Sequence, residues 1–166
     1  MKKIIGLVLG MAIFGCQHNE NAISEFTGNE VVYSLQQGGV YVINGTVSLK
    51  EKKDGSSVVT ISLKGTEGDI QLPVHLHLGD ISAPDAEVAA LLNPVLGSTG
   101  KSETHLKRLA NEELISFKDL IALEASIKIH LGESGPDRNV ILAAGNIGTA
   151  GSTPNGRSGI SVCRSE

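Results

Sequence analysis

Apolar and polar residues alternate along two successive stretches of this chain. Tyr41, Ile43, Val47 and Leu49 interleave with Val42, Asn44, Thr46 and Ser48, and Val59, Ile61 and Leu63 with Thr60, Ser62 and Lys64. A period of two sends one set to each face of a strand, so each stretch predicts a strand with one buried face. Between them lies Lys52-Lys53-Asp54-Gly55-Ser56. Asp-Gly is a hairpin signal, because glycine adopts the positive φ that tight turns demand. Composition points the same way. Aromatics make up 3% of the 166 residues and Trp is absent, so the core has to be Val, Ile, Leu and Ala. Twenty glycines supply turns, and the length suits one domain with a single core.

Further strands follow by the same pattern. A short first strand is expected at residues 31–34 and a third at 72–78, with Pro73 marking its start or an edge. Strand character returns at 125–131, then at 140–144 and Ile147, with Gly145 as a break. The texture differs over residues 82–124. Ser82 and Pro84 resemble a helix start, Val88, Leu91 and Leu92 share a helical face, and Asn93-Pro94 reads as a stop. Leu106, Leu109 and Ala110 suggest further helical turns, and Ser116-x-x-Asp119 reads as a capping box ahead of Leu120 and Ile121. The expectation is a mainly β fold with a short helical insertion.

The N-terminus has a separate meaning. Lys2 and Lys3 precede an apolar run, residues 4–14, too short to span a bilayer as a helix. It ends in Ile13-Phe14-Gly15-Cys16, which resembles the lipobox of bacterial lipoproteins. The resemblance implies a signal peptide over 1–15, lipidation of Cys16 and attachment to a bacterial membrane at the cell envelope, on its periplasmic or surface side. Residues 16–30 are polar and read as a flexible tether, 31–150 as the domain and 151–166 as a flexible tail. Loss of Lys2 and Lys3 with the leader would take the formal charge from −4 to −6. Such a balance excludes a basic nucleic-acid footprint. Cys163 is the one other cysteine. With Cys16 lipidated it has no intramolecular partner, and a homodimer or a bridge to an envelope protein stays open.

Histidine placement carries the chemistry. His75 and His77 are two apart on an expected strand, so both project from one face, with Val74, Leu76 and Leu78 on the other. His130 sits in a second expected strand, opposed to Ile127 and Ile129. If the two strands are neighbours, three imidazoles converge in a pattern that suits a transition metal. His105 is a candidate fourth ligand from the insertion, and His18 belongs to the tether. Asp80 and Asp137, beside the histidine strands, are candidates for orienting imidazoles or for simple turn formation.

These residues resemble a known family. Gly45-Thr46-Val47-Ser48-Leu49, the Asp54-Gly55 hairpin, Leu63-Lys64-Gly65-Thr66-Glu67-Gly68 and Val74-His75-Leu76-His77-Leu78-Gly79-Asp80 are similar to the copper/zinc superoxide dismutases. Ser126-Ile127-Lys128-Ile129-His130 and Leu142-Ala143-Ala144-Gly145-Asn146-Ile147-Gly148 continue the likeness. It implies a Greek-key antiparallel β-sandwich of about eight strands and a copper site of His75, His77 and His130. The family's bridging histidine has no counterpart, and only His105 echoes a zinc ligand, so the resemblance implies copper without zinc. Ala144 stands at the family's disulfide cysteine and Ile141 at its superoxide-guiding arginine. Chordin-type CHRD domains resemble the same strands, but their closing Gly-Glu-Ile-Arg-Gly type segment is missing here. Three functions stay open: a copper enzyme acting on superoxide, a non-catalytic copper-handling lipoprotein, and a structural or interaction domain at the envelope.

Overall fold

The computed structural model describes residues 24–83 and 86–151. They form eight strands: β1 (Phe26–Gln37), β2 (Asn44–Lys52), β3 (Ser57–Lys64), β4 (Gln71–Leu78), β5 (Val88–Leu96), β6 (Lys101–Leu106), β7 (Glu124–His130) and β8 (Ile141–Ile147). Two short helices, α1 (Phe117–Ala122) and α2 (Gly148–Gly151), and a 3-10 helix at Gly135–Asn139 complete the elements. Neighbours run antiparallel in the order β1, β2, β3, β6, β5, β4, β7, β8, and β1 pairs back onto β8. The chain is mainly β, as expected. Instead of two separate sheets of a sandwich, it forms one sheet closed into a barrel, which removes the exposed edges that a flat sheet carries.

The predicted hairpin joins β2 to β3. Lys52 N donates to Ser56 O at 2.9 Å, and Gly55 turns the chain at φ 83°. Asp54 Oδ1 accepts from Ser56 N at 3.0 Å, fastening the turn. Val47, Leu49, Val59, Ile61 and Leu63 fill the barrel interior with Leu76, Ile127 and Ile129. At one end α1 buries Phe117 and Leu120 into this core. Its capping box is the predicted one: Ser116 Oγ accepts from Asp119 N at 3.2 Å, and Ser116 N donates to Asp119 Oδ2 at 3.1 Å.

The rest of the helical insertion is corrected. Val88, Leu91 and Leu92 lie on β5, and Leu106 ends β6. Alanine and leucine favour helix locally, but pairing with β4 over most of β5 overrides that preference. Pro94 does not stop the element. Pro73 and Asn93-Pro94 face each other where the β4–β5 register shifts between Leu72 and Val74. A proline lacks a ladder donor, and this irregularity needs none there. Pro73 lies near the start of β4, just before pairing with β7 begins at Val74, so of the two expected places the strand's start holds and the sheet edge does not.

Two boundaries also move. Residues 26–30, polar enough to read as tether, belong to β1, where Thr27 Oγ1 and Asn29 Nδ2 donate to Glu51 Oε2 at 2.8 and 2.7 Å. Strand β8 runs through Gly145 without a break. A Cβ on Gly145 would lie 2.2 Å from Ser34 O, so the missing side chain is what lets β1 approach β8. The leader, Cys16, His18, Pro84, Cys163 and the tail after residue 151 lie outside the described residues. Among the described residues no helix is long and apolar enough to cross a membrane.

Candidate metal centre

Strands β4 and β7 are neighbours, with His75 opposite Lys128 and His77 opposite Ser126. Val74, Leu76, Ile127 and Ile129 point into the barrel core. The alternate residues His75, His77, Ser126, Lys128 and His130 therefore share its outer face. That face is not solvated. His75 is 6% exposed and His77 and His130 are 0% exposed.

The three rings converge. Centroids are 4.5 Å apart for His75 and His130, 5.7 Å for His75 and His77, and 6.4 Å for His77 and His130. One nitrogen from each lies within 4.8 Å of the others. Bonds near 2 Å to one ion hold ligand atoms about 3.3–4 Å apart, so from 4.8 Å the rings close by about 1.5 Å at most on binding.

Backbone carbonyls orient two of the rings. His77 Nδ1–H donates to Ala86 O at 2.9 Å and His130 Nδ1–H to Arg138 O at 2.6 Å. Each bond selects the neutral tautomer with its lone pair on Nε2, the usual outer support of a metal-bound imidazole. His130 Nε2 and His75 Nδ1 are buried without a hydrogen-bond partner. Buried polar atoms left in this way are costly unless something coordinates them. The orphaned Nδ1 of His75 and Nε2 of His130 are thus nitrogens that an ion would satisfy, and His77 completes the group.

Electrostatics keeps the rings neutral. Burial depresses His75 to about 4, assisted by the charges of His130, His77 and Arg138. Burial likewise takes His77 to about 4, against the Ala86 hydrogen bond and with Lys128, His130 and Arg138. His130 moves in the same direction for the same first reason. Neutral imidazole is the form that ligates.

Other expected participants are elsewhere. His105 is half-exposed on β6, 3.4 Å from Glu103, and is not part of the group. Asp80 forms a turn and a tie: it accepts from Ser82 N at 2.8 Å and from Asn146 Nδ2, and Asn146 Oδ1 accepts from Ile81 N. Asp137 offers its backbone carbonyl to Val140 N. Carbonyls of Ala86 and Arg138 do the orienting expected of these carboxylates, and no side-chain identity announces a carbonyl. At the positions of the family's disulfide and guiding arginine, Ala144 and Ile141 pack with Ile81 as a small apolar cluster. The chain matches no protein-family model, no curated protein and no solved structure.

Proposed function

We propose that this chain is an exported, lipid-anchored protein whose barrel binds one copper ion through His75, His77 and His130. The observation that carries the reading is the convergence of three buried, neutral imidazoles with ligand atoms within 4.8 Å. Three nitrogens without thiolate or carboxylate suit copper, which also stands above zinc in affinity for such sites. The lipidated anchor rests on the sequence at Cys16.

Two features support the likeness to the copper/zinc superoxide dismutases. The donor atoms come from a His-x-His strand and its neighbour. The strand order, in which β3 pairs with β6 and not with β4, supports a Greek-key reading of the connections. Bound copper would supply one-electron chemistry, with superoxide as the substrate that the likeness implies. The chain's own part is to hold neutral rings, fix their tautomers and exclude water from two of them.

The test is a copper titration of the folded protein. One equivalent bound by the wild type and lost in His77→Ala is the expected result; a wild type that binds none removes the reading. A superoxide assay on the loaded protein then separates the enzyme from a non-catalytic, CHRD-like copper-handling domain. A rate no faster than free copper selects the latter.

A further inference from the structure

The three rings are not held alike. Carbonyls of Ala86 and Arg138 fix His77 and His130, whereas His75 Nδ1 has no hydrogen-bond partner. Of the three, only His75 keeps any exposure, at 6%. A cavity of about 280 Å³ lies against its ring, on the outer face of β4 and β5. Neither His77 nor His130 lines it. One water takes about 30 Å³, so a hydrated ion fits.

The cavity's position follows from the strands. Leu91, the cross-strand partner of His75, forms one wall on the same face. Pro73 and Pro94 form another, where the β4–β5 register shifts. Glu133 reaches the cavity from the segment that follows β7, three residues beyond His130. Leu91 is 70% exposed and Glu133 is exposed as well, so the cavity runs from solvent to the His75 ring.

Its chemistry is one-sided. Glu133 is the charged residue among those that line it, the His75 ring being neutral. The proline walls carry no N–H for an anion to bind. A carboxylate beside low-dielectric walls concentrates cations and turns anions away. Within the site the Arg138 charge acts on all three rings, so at this approach Glu133 supplies the attraction that a cation needs.

We propose that this cavity is the port by which copper reaches and leaves the three-histidine site, with Glu133 drawing the cation in and His75 as the first ring it meets. The inference rests on the metal-binding reading above and adds the route. Loading and release of Cu(II) on the full chain test it, read by stopped-flow mixing and by transfer to excess EDTA. Glu133→Gln should slow loading about threefold at low salt, and the difference should fade near 1 M salt, where screening reaches about 3 Å. Leu91→Trp narrows the passage without touching a ligand. A barrier on the path slows both directions alike, so loading and release should both fall about tenfold with Kd unchanged. Glu67→Gln and Ile70→Trp, the same changes at the cavity beside Tyr41, should alter neither rate. A folded Leu91→Trp with wild-type rates overturns the port, as do controls that slow loading equally. A Glu133→Gln that loads at the wild-type rate overturns the part given to its charge. A wild type that binds no copper sinks the earlier reading instead, before any rate is compared.

Discussion

The Nδ1–H of His130 and the carbonyl of Arg138 meet at 2.6 Å, so the segment after β7 folds back to hold the ring at that strand's end. The 3-10 helix Gly135–Asn139, with Pro136 in its first turn, delivers that carbonyl. Pro136→Gly should loosen the segment without touching a ligand. We expect metal affinity to fall by about 10–100-fold, the usual cost of losing an outer support, with stoichiometry unchanged. His130→Ala should lose more than that, and His105→Ala nothing. Competition titration reads all three, and a His105→Ala defect would contradict the assignment.

Barrel closure depends on a residue without a side chain. A Cβ at Gly145 would lie 2.2 Å from Ser34 O, a backbone atom that cannot swing aside. Gly145→Ala should cost about 1–3 kcal/mol, as overpacking does, and should loosen β1 from β8. Gly55→Ala meets no atom within 4 Å and pays only for its φ of 83°, about 1–2 kcal/mol. Urea denaturation compares the two. Hydrogen exchange then separates them: protection at Gln36 and Gln37, which face Ala144 and Ala143, should drop in Gly145→Ala alone.

The ligand set was legible in the sequence because it needs only a period of two. His75, His77 and His130 alternate against Leu76, Ile127 and Ile129, and strand pairing did the rest. Strand β5 was not legible. Its run Val88-Ala89-Ala90-Leu91-Leu92 has helical spacing, and both its inner face and its register are set by β4 and its bulge, which no local pattern encodes. The orienting carbonyls of Ala86 and Arg138 were invisible for the reason that every residue has one.

The one helix that the sequence did announce should depend on its cap. Ser116 and Asp119 exchange side-chain and backbone hydrogen bonds at the start of α1. Ser116→Ala should cost about 1 kcal/mol. Leu120→Ala empties a fully buried site in the core and should cost about 2–5 kcal/mol. The same urea experiment ranks them. Equal losses would mean that α1 is held by its cap and not by its packing.

The buried histidines should make the metal-free protein acid-sensitive in a defined window. His75 and His77 hold their protons in the folded state only near pH 4, because burial disfavours imidazolium. In the unfolded chain they take protons near the ordinary value of about 6.5. Between these values the unfolded state binds more protons, so stability rises with pH there and falls as the solution is acidified. The loss begins below about 6.5 and is complete near 4. Carboxylates act lower: Glu51, Asp80 and Asp119, depressed chiefly by side-chain hydrogen bonds from Asn29, Ser82 and Ser116, give up their contribution only as pH drops through and below the ordinary carboxylate range. Urea midpoints of the metal-free protein should therefore be level from pH 8 to 7 and decline from 6.5 to 5. The variant with His75→Gln and His77→Gln should lose most of that decline while keeping the fall below pH 4.5. A wild-type midpoint that is flat down to pH 5 would mean that the rings are protonated or solvated in the folded state, which contradicts a site built from neutral imidazoles.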